Sequence, residues 1–116
     1  MQLRAKNLHK KFKNFTAVKS FSFDLRPGEV LGLLGPNGAG KTTIIGMLYG
    51  GVIPTAGAIV YSKDNCDFNV LESKDLRKAK KFIGIVPQEN NLDPDLSVHE
   101  NLIVFCRYYG LTDSET

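Results

Sequence analysis

Nine consecutive residues, from Gly35 to Thr43, combine glycines, a lysine and two threonines at a spacing that suits a triphosphate. They fit the pattern G-x-x-x-x-G-K-[ST]. The glycines lack the Cβ that would keep backbone N–H groups away from an anion. Lys41 adds a positive charge that can reach the β- and γ-phosphates, the Thr42 hydroxyl can ligate Mg²⁺, and Thr43 can donate a hydrogen bond to the α-phosphate. The residues that we expect to surround the triphosphate are Gly35, Pro36, Asn37, Gly38, Ala39, Gly40, Lys41, Thr42 and Thr43.

The sequence on either side of this loop supports the same interpretation. Residues Glu29–Leu34 form an apolar run that is typical of a parallel strand buried on both faces. Residues Ile44–Leu48 are mostly apolar and are followed by Gly50 and Gly51, which predicts a short helix with a glycine stop. The helix would point its partially positive N-terminus at the anion. A turn that only joined the strand to the helix would not require a lysine and two threonines at these positions.

The remaining patterns predict further strands and helices around this core. Strands are expected at Phe21–Leu25, at Ala58–Tyr61 and, as a second buried strand, at Phe82–Val86. The polar stretch Ser62–Asn69 is expected to be a loop, and Ser73–Lys81 a short basic helix. Early alternating strands followed by buried strands that alternate with helices predict an α/β fold, with a small antiparallel β region beside a parallel core.

A helix near the end of the chain is predicted by its capping residues. Ser97 and Glu100 fit a capping box, so the helix should begin at Ser97, and Gly110 can end it. The apolar residues that share one face of this helix are Val98, Leu102, Phe105 and Tyr109.

Composition narrows the class of protein. The chain has 116 residues, of which 42% are hydrophobic and 23% charged, as in an ordinary soluble domain. A net charge of +3 is too small to indicate a nucleic-acid partner. Cys66 and Cys106 are expected to be reduced thiols, because two cysteines make no disulfide framework. The first residues carry no apolar core, so no signal peptide is expected.

Four segments together resemble the N-terminal half of the ATPase subunit of an ABC transporter. They are Gly28–Thr43, Pro54–Gly57, Ile85–Gln88 and Asn91–Leu102. The phosphate loop is shared by many ATPases, and the glutamine after the second buried strand narrows the resemblance to this family. The segment Asn91–Leu102 is similar to the branch that exports drugs and nodulation-type oligosaccharides.

The resemblance implies a fold, cofactors and roles for particular residues. The fold would be a P-loop NTPase core with a parallel sheet and a small antiparallel β subdomain, truncated before the helical subdomain. Residues 1–116 would be a partial ABC-type ATP-binding domain that binds ATP and Mg²⁺. Lys41 and Gln88 would be catalytic, and Thr42 and Gln88 would share Mg²⁺, with Gln88 as the Q-loop glutamine that senses the γ-phosphate. Phe12 would stack on adenine, with Phe15 as its competitor. The alternatives are a surface loop role for Gln88 and a core role for Phe12.

The chain also lacks motifs that the family carries. It has no signature motif, no Walker B strand ending in Asp-Glu and no switch histidine. The general base and the partner's signature would therefore be missing, so we expect residues 1–116 alone to show negligible hydrolysis. In the family, the strand beside residues 30–34 comes from the part that this chain lacks. Its absence would expose the edge of an apolar strand, so the isolated chain is expected to be marginally stable or to aggregate.

The function implied by the resemblance is an ATPase that couples ATP binding and hydrolysis to export. Its partners would be a membrane-spanning transporter subunit and a second ATPase subunit, with no nucleic acid expected. The protein would be cytoplasmic, held at the inner face of the membrane through its partner. One alternative is a soluble ABC-type ATPase that acts on nucleic acid or ribosomes. The other is a truncated module that binds nucleotide without turnover.

Overall fold

The structure, a computed structural model, describes residues 1–89, 91–112 and 114–115. The chain divides into two compact units, Met1–Ala79 and Lys80–Thr116, and each is described here by itself. The first unit holds a four-stranded sheet and two helices. The second holds a short 3₁₀ helix, Lys80–Phe82, and one α-helix. The assignment of residues 1–116 to one partial domain stays a prediction.

The sheet of the first unit is antiparallel throughout its described strands. Their spatial order is β2-β1-β3-β4. This arrangement confirms the predicted antiparallel β region and extends both strands that were predicted within it. The strands are β1 (Gln2–Phe12), β2 (Phe15–Leu25), β3 (Ala56–Lys63) and β4 (Cys66–Asn69).

The pairing of β1 is interrupted by a bulge at Asn7. This residue has a φ of 50°, and its backbone N–H donates to Ser22 Oγ at 2.7 Å. On the other side of β1, Gly57 of β3 has a φ of 103°. A Cβ on Gly57 would lie 2.6 Å from the Asn7 carbonyl oxygen and 2.7 Å from that of Lys6. Glycine is therefore required at this position by both its φ and the lack of space.

The prediction of a loop over Ser62–Asn69 is wrong, because β3 runs on to Lys63 and returns as β4. The turn between the strands consists of Asp64 and Asn65, with φ values of 52° and 61°. Two left-handed residues give a two-residue hairpin the twist that its strands need, and Asp and Asn tolerate that conformation. The polar composition of the segment concealed this hairpin.

The predicted strands Glu29–Leu34 and Phe82–Val86 are not strands in the described residues. Val30 is 97% exposed, Leu34 96% and Val86 96%. A strand forms only where a neighbouring strand supplies its backbone hydrogen bonds, and the described residues provide no such neighbour for either segment. Their apolar composition indicates only that these segments tend to be buried. To form strands they would also need a neighbouring strand with which to pair.

Helix α1 (Lys41–Leu48) follows the phosphate loop and contributes to the core of the first unit. Met47, Leu8 of β1 and Ile59 of β3 are the largest side chains that are completely buried. Among the described residues, the buried apolar side chains are those of Leu3, Ala5, Leu8, Val18, Ile44, Met47, Ile59, Tyr61, Val70 and Ala79.

The predicted glycine stop of α1 is confirmed. Gly50 has a φ of 75° and donates its N–H to the Met47 carbonyl at 3.2 Å. Gly51 donates to the Gly46 carbonyl at 2.8 Å. These two bonds form a Schellman motif, which satisfies the last carbonyls of the helix. The predicted basic helix is also present as α2 (Ser73–Ala79).

Helix α3 (Val98–Tyr108) of the second unit has both of its predicted ends. Ser97 and Glu100 form a reciprocal capping box, and their hydrogen bonds lower the pKa of the Glu100 carboxyl. At the other end, Gly110 has a φ of 73° and donates to the Arg107 carbonyl at 2.9 Å. The apolar residues that share its predicted face are exposed in this unit: Val98, Leu102, Phe105 and Tyr109.

Asn101 fastens the start of α3 to the segment before it. Its side chain is buried, and its Nδ2 donates to the carbonyls of Asp93 (3.0 Å), Leu96 (3.1 Å) and Ser97 (3.1 Å). Its Oδ1 accepts the N–H of Asp93 at 2.9 Å. One amide thus satisfies several backbone groups of a turn that has no sheet or helix of its own.

We expect the exposed apolar residues near the phosphate loop to limit solubility more than stability. Val30→Ser and Leu34→Ser change side chains that the first unit leaves in solvent, so the free energy of unfolding should change by about 0.5 kcal/mol or less. Light scattering should show less association. Ile59→Ser, at a completely buried position, is the control and should destabilise the chain. Equal association in wild type and both surface variants would contradict this expectation.

The buried tyrosine beside α1 predicts a loss of stability at high pH. Burial raises the pKa of Tyr61 to about 12, and its hydroxyl donates to the Leu48 carbonyl at 3.1 Å. A raised pKa means that the folded state holds the proton more tightly than the unfolded state, where the pKa is about 10. The contribution of the Tyr61 hydroxyl to the free energy of unfolding is therefore complete below about pH 10 and disappears as the pH rises toward 12.

Urea unfolding of wild type and Tyr61→Phe across this pH range measures that contribution. The difference in unfolding free energy between the two proteins should change by up to about 2–3 kcal/mol, because one pKa unit corresponds to about 1.4 kcal/mol. Comparison with Tyr61→Phe cancels the titration of the lysines. A difference that does not vary with pH would refute the prediction.

Candidate functional site

The predicted phosphate loop is an irregular, exposed segment that ends at the first residue of α1. Gly38 and Gly40 have φ values of 85° and 86°, in the left-handed region that favours glycine. Gly40 is the N-cap of α1, and no side chain caps the helix there. The first turn of α1 carries no acidic residue. An uncapped N-terminus without a carboxylate leaves its partial positive charge available to an anion.

The backbone amides at the start of α1 lack partners in the described structure. Ala39 N donates to Pro36 O at 3.2 Å, and the helical ladder begins with Ile44 N donating to Gly40 O at 2.8 Å. Among the described residues, none accepts a hydrogen bond from the amides of residues 40–43. Such amides are the donors that a phosphate oxygen requires.

The ammonium of Lys41 lies inside the loop. Its Nζ donates to the carbonyls of Gly35 at 2.5 Å and Pro36 at 2.7 Å. An ammonium has three N–H donors, so these two bonds position the charge and leave one donor for a ligand. The loop carbonyls therefore hold the positive charge within the loop, and its role in phosphate binding stays a prediction.

Gly40 anchors this loop to β2. A Cβ on Gly40 would lie 2.4 Å from the Ala17 carbonyl oxygen and 3.2 Å from Val18 Cγ2. A groove of about 410 Å³ lies here, between β2 and the loop. Its lining includes Phe15, Val18, Gly38, Ala39 and Ile44.

The two aromatic candidates for base stacking lie opposite each other where β1 turns into β2. Phe12 pairs with Phe15 across the hairpin. Phe12 is 46% exposed and Phe15 is 61% exposed, so neither is a core residue. Phe15 lines the groove beside the loop, whereas Phe12 contacts Lys10. The structure rules out the alternative that Phe12 is simply core, and it leaves both rings accessible to a base.

Lys10 makes contacts that the sequence did not predict. Its Nζ lies 4.8 Å from the centroid of the Phe12 ring and donates to the Ile53 carbonyl at 2.6 Å. The sequence pattern is typical of a solvated basic surface, and Lys10 and Ile53 lie far apart in the chain. No local signal could have revealed this contact.

The remaining predicted site residues are divided between the units. Thr42 is exposed and Thr43 half-buried on the first turn of α1. Gln88 lies in the second unit, where it lines a cleft of about 480 Å³. Apolar residues that include Val86, Leu92 and Phe105 form much of that cleft. The shared magnesium site of Thr42 and Gln88 therefore stays a prediction.

Comparison with known proteins establishes the family. The family of ABC transporter ATP-binding domains matches residues 18–116, which include the whole phosphate loop and Gln88. The chain belongs to the ABC transporter family. Among the described residues, no helix has the length and apolar composition needed to cross a membrane.

Curated relatives and solved structures agree with this assignment. The chain is 46% identical over 105 residues to Nod factor export ATP-binding protein I of Burkholderia pseudomallei, covering 90% of this chain and 33% of that protein. It is also 46% identical over 113 residues to linearmycin resistance ATP-binding protein LnrL of Bacillus subtilis, covering 97% and 34%. The chain thus spans about a third of the length of these relatives.

The fold is shared with ATP-binding subunits of known structure. One ATP-binding subunit of an ABC transporter superposes with a TM-score of 0.80 at 25% identity, over 98% of this chain and 45% of that one. The ATP-binding cassette MJ0796, a dimer bound to ADP and Pi, superposes with a TM-score of 0.74 at 29% identity, over 92% and 47%. These matches confirm the predicted α/β P-loop fold class.

The contrasting surroundings of two loop glycines lead to a prediction. A Cβ on Gly38 would meet no atom within 4 Å, whereas one on Gly40 would collide with the backbone of β2. Gly38→Ala should cost about 1 kcal/mol, from the positive φ alone. Gly40→Ala should cost more, because the loop must also move away from Ala17.

Thermal unfolding and titration with Mg-ATP test both variants. Gly38→Ala should keep most of the wild-type melting temperature, and Gly40→Ala should lower it further and weaken nucleotide binding more. The two glycines differ little in φ, so the matched pair isolates the contact with β2. Equal effects of the two substitutions would show that this contact does not hold the loop.

Proposed function

We propose that this chain is the ATP-binding portion of an ABC-type ATPase that couples ATP binding and hydrolysis to export across a membrane. Two observations carry the proposal: two carbonyls of the loop hold the ammonium of Lys41, and the amides that begin α1 have no partner among the described residues. Two similar relatives are named for Nod factor export and for linearmycin resistance, which supports export as the process.

The donors of the loop fit the triphosphate of ATP in both charge and geometry. Backbone N–H groups and one ammonium suit the anionic oxygens, and no carboxylate stands in the first turn of α1. We assign phosphate binding to residues 35–43, with Lys41 reaching the β- and γ-phosphates. The base would stack on Phe12, whose exposed ring is compatible with this role, and Phe15 remains the competitor.

Mg²⁺ would be held by the Thr42 hydroxyl and the Gln88 amide oxygen, together with phosphate oxygens and water. Mg²⁺ takes few protein ligands and prefers oxygen, so one hydroxyl and one amide fit it. Gln88 adds no charge at the γ-phosphate, which leaves the positive charge of Lys41 and the metal to offset the charge that develops during phosphoryl transfer. Lys41 and Gln88 are the residues to which we assign catalytic roles.

The partners that we propose are a membrane-spanning subunit and a second ATPase subunit. One similar relative is named for Nod factor export, and the cassette MJ0796 was solved as a dimer. The protein would then lie at the cytoplasmic face of the membrane, held there by its membrane-spanning partner. The cleft that Gln88 lines is largely apolar, so it is a candidate contact surface for that partner. Gln88 itself is the residue that we propose to contact the γ-phosphate.

A second candidate function is nucleotide binding without turnover by residues 1–116. The chain spans about a third of its curated relatives and contains none of the signature, Walker B or switch-histidine motifs. A positioned general base contributes about 10²–10⁴-fold to a reaction rate, and the chain carries no candidate at the family's position.

Titration calorimetry with Mg-ATP and an assay of phosphate release test these proposals on the 116-residue chain. Wild type should bind Mg-ATP, and Lys41→Met should weaken binding by about tenfold or more, because a hydrogen bond to a charged group contributes about 1.5–3 kcal/mol. Lys74→Met, on the exposed surface of α2, is the control for charge. Phosphate release should stay at background.

Two results would contradict the proposals. Equal affinity of wild type and Lys41→Met for Mg-ATP would remove the phosphate site. Turnover at an ordinary enzymatic rate, on the order of 1 s⁻¹ or faster, would overturn the assignment of residues 1–116 as a binding module.

A further inference from the structure

We propose that Lys10 is a positioning residue that prepares Phe12 as a platform for the base of the nucleotide. The ammonium lies over the Phe12 ring, and nearly half of the Phe12 surface remains exposed. This inference rests on the proposed ATP-binding function and assigns the base site within it to Phe12, ahead of Phe15.

The geometry makes Phe12 a ring with one occupied face. Lys10 and Phe12 are two residues apart on β1, so their side chains project from the same side of the strand. The Lys10 Nζ lies 4.8 Å from the ring centroid, within the range of a cation–π interaction. Nearly half of the Phe12 surface stays exposed, at 46%. The Phe12 ring is therefore accessible to a flat ligand while it keeps its contact with the ammonium.

The ammonium is itself fixed by the segment that follows α1. Lys10 Nζ donates to the Ile53 carbonyl at 2.6 Å. Two further bonds join the same segment to β1: Thr55 N donates to the His9 carbonyl at 2.8 Å, and Lys11 N donates to Thr55 Oγ1 at 3.1 Å. Three hydrogen bonds around one short segment thus hold the end of β1 that carries Phe12.

The chemistry of this arrangement favours stacking by an electron-rich base. A cation on one face draws π-electron density toward itself, so the opposite face repels a second π-system less. A Phe ring offers no hydrogen bond to the base edge, so it contributes affinity through the ring face. Lys10 should therefore increase the affinity for ligands that contain a base. It should not change the affinity for a phosphate chain without a base.

Binding of Mg-ATP and of Mg-tripolyphosphate to the same variants separates these two parts of the ligand. The effect of Lys10 on binding cannot exceed the free energy of an exposed cation–π pair, so Lys10→Met should weaken Mg-ATP by at most about fivefold and should leave Mg-tripolyphosphate unchanged. Lys10→Arg keeps the charge and a donor, and should restore Mg-ATP binding. Lys13→Met makes the same change of charge one residue beyond Phe12 and should bind both ligands as wild type does.

A double-mutant cycle tests whether Lys10 acts through Phe12. Phe12→Ala should weaken Mg-ATP by about fivefold or more, from the loss of base stacking. Adding Lys10→Met to Phe12→Ala should then produce no further loss, because the ring through which Lys10 acts is gone. Phe15→Ala should have a smaller effect than Phe12→Ala.

The other outcomes each have a defined meaning. Equal losses of Mg-ATP and Mg-tripolyphosphate in Lys10→Met would overturn the inference and make Lys10 a general structural or phosphate contact. Additive losses in the cycle, or a larger effect of Phe15→Ala, would also overturn it. Failure of wild type to bind either ligand would instead contradict the proposed nucleotide site, on which Lys41→Met reports independently.

Discussion

The close approach of Gly40 to the backbone of β2 is the constraint on which the candidate site depends. It brings the start of α1, where the unpartnered amides lie, close to the backbone of the antiparallel sheet. The Lys41 ammonium then needs only a short reach to the Gly35 and Pro36 carbonyls. The helix that carries both Lys41 and the unpartnered amides begins here because a residue without a side chain allows this close contact.

Sequence alone located the parts of the structure that depend on local chemistry. Gly50 and Gly110 end helices as predicted, because a left-handed residue after a helix is a local requirement that glycine meets. The capping box of Ser97 and Glu100 is local in the same sense. The loop before α1 was also recognisable as a motif, since its residue types and spacing are local, and its phosphate binding stays a prediction.

What the sequence could not predict depends on contacts between distant residues. The apolar run Glu29–Leu34 indicates a segment that tends to be buried. A strand also requires a neighbouring strand, which the described residues do not supply. The contact of Lys10 with Ile53 likewise leaves little local trace. The β3–β4 hairpin is a different case, because its turn residues Asp64 and Asn65 are neighbours and the polar composition around them predicted a loop instead. The pairing of Phe12 with Phe15 shows a further limit, because two equally aromatic neighbours cannot be ranked from residue type.

The bulge at Asn7 has a consequence for how the chain reaches this fold. Gly57 sits where a methyl group would strike the carbonyls of Lys6 and Asn7. A shift of β3 by one position would bring Ala56 or Ala58 to that place, so either slipped alignment meets a collision. A sheet misaligned by one residue would therefore be less stable than the native one, so this glycine helps to determine which residues of β1 and β3 face each other.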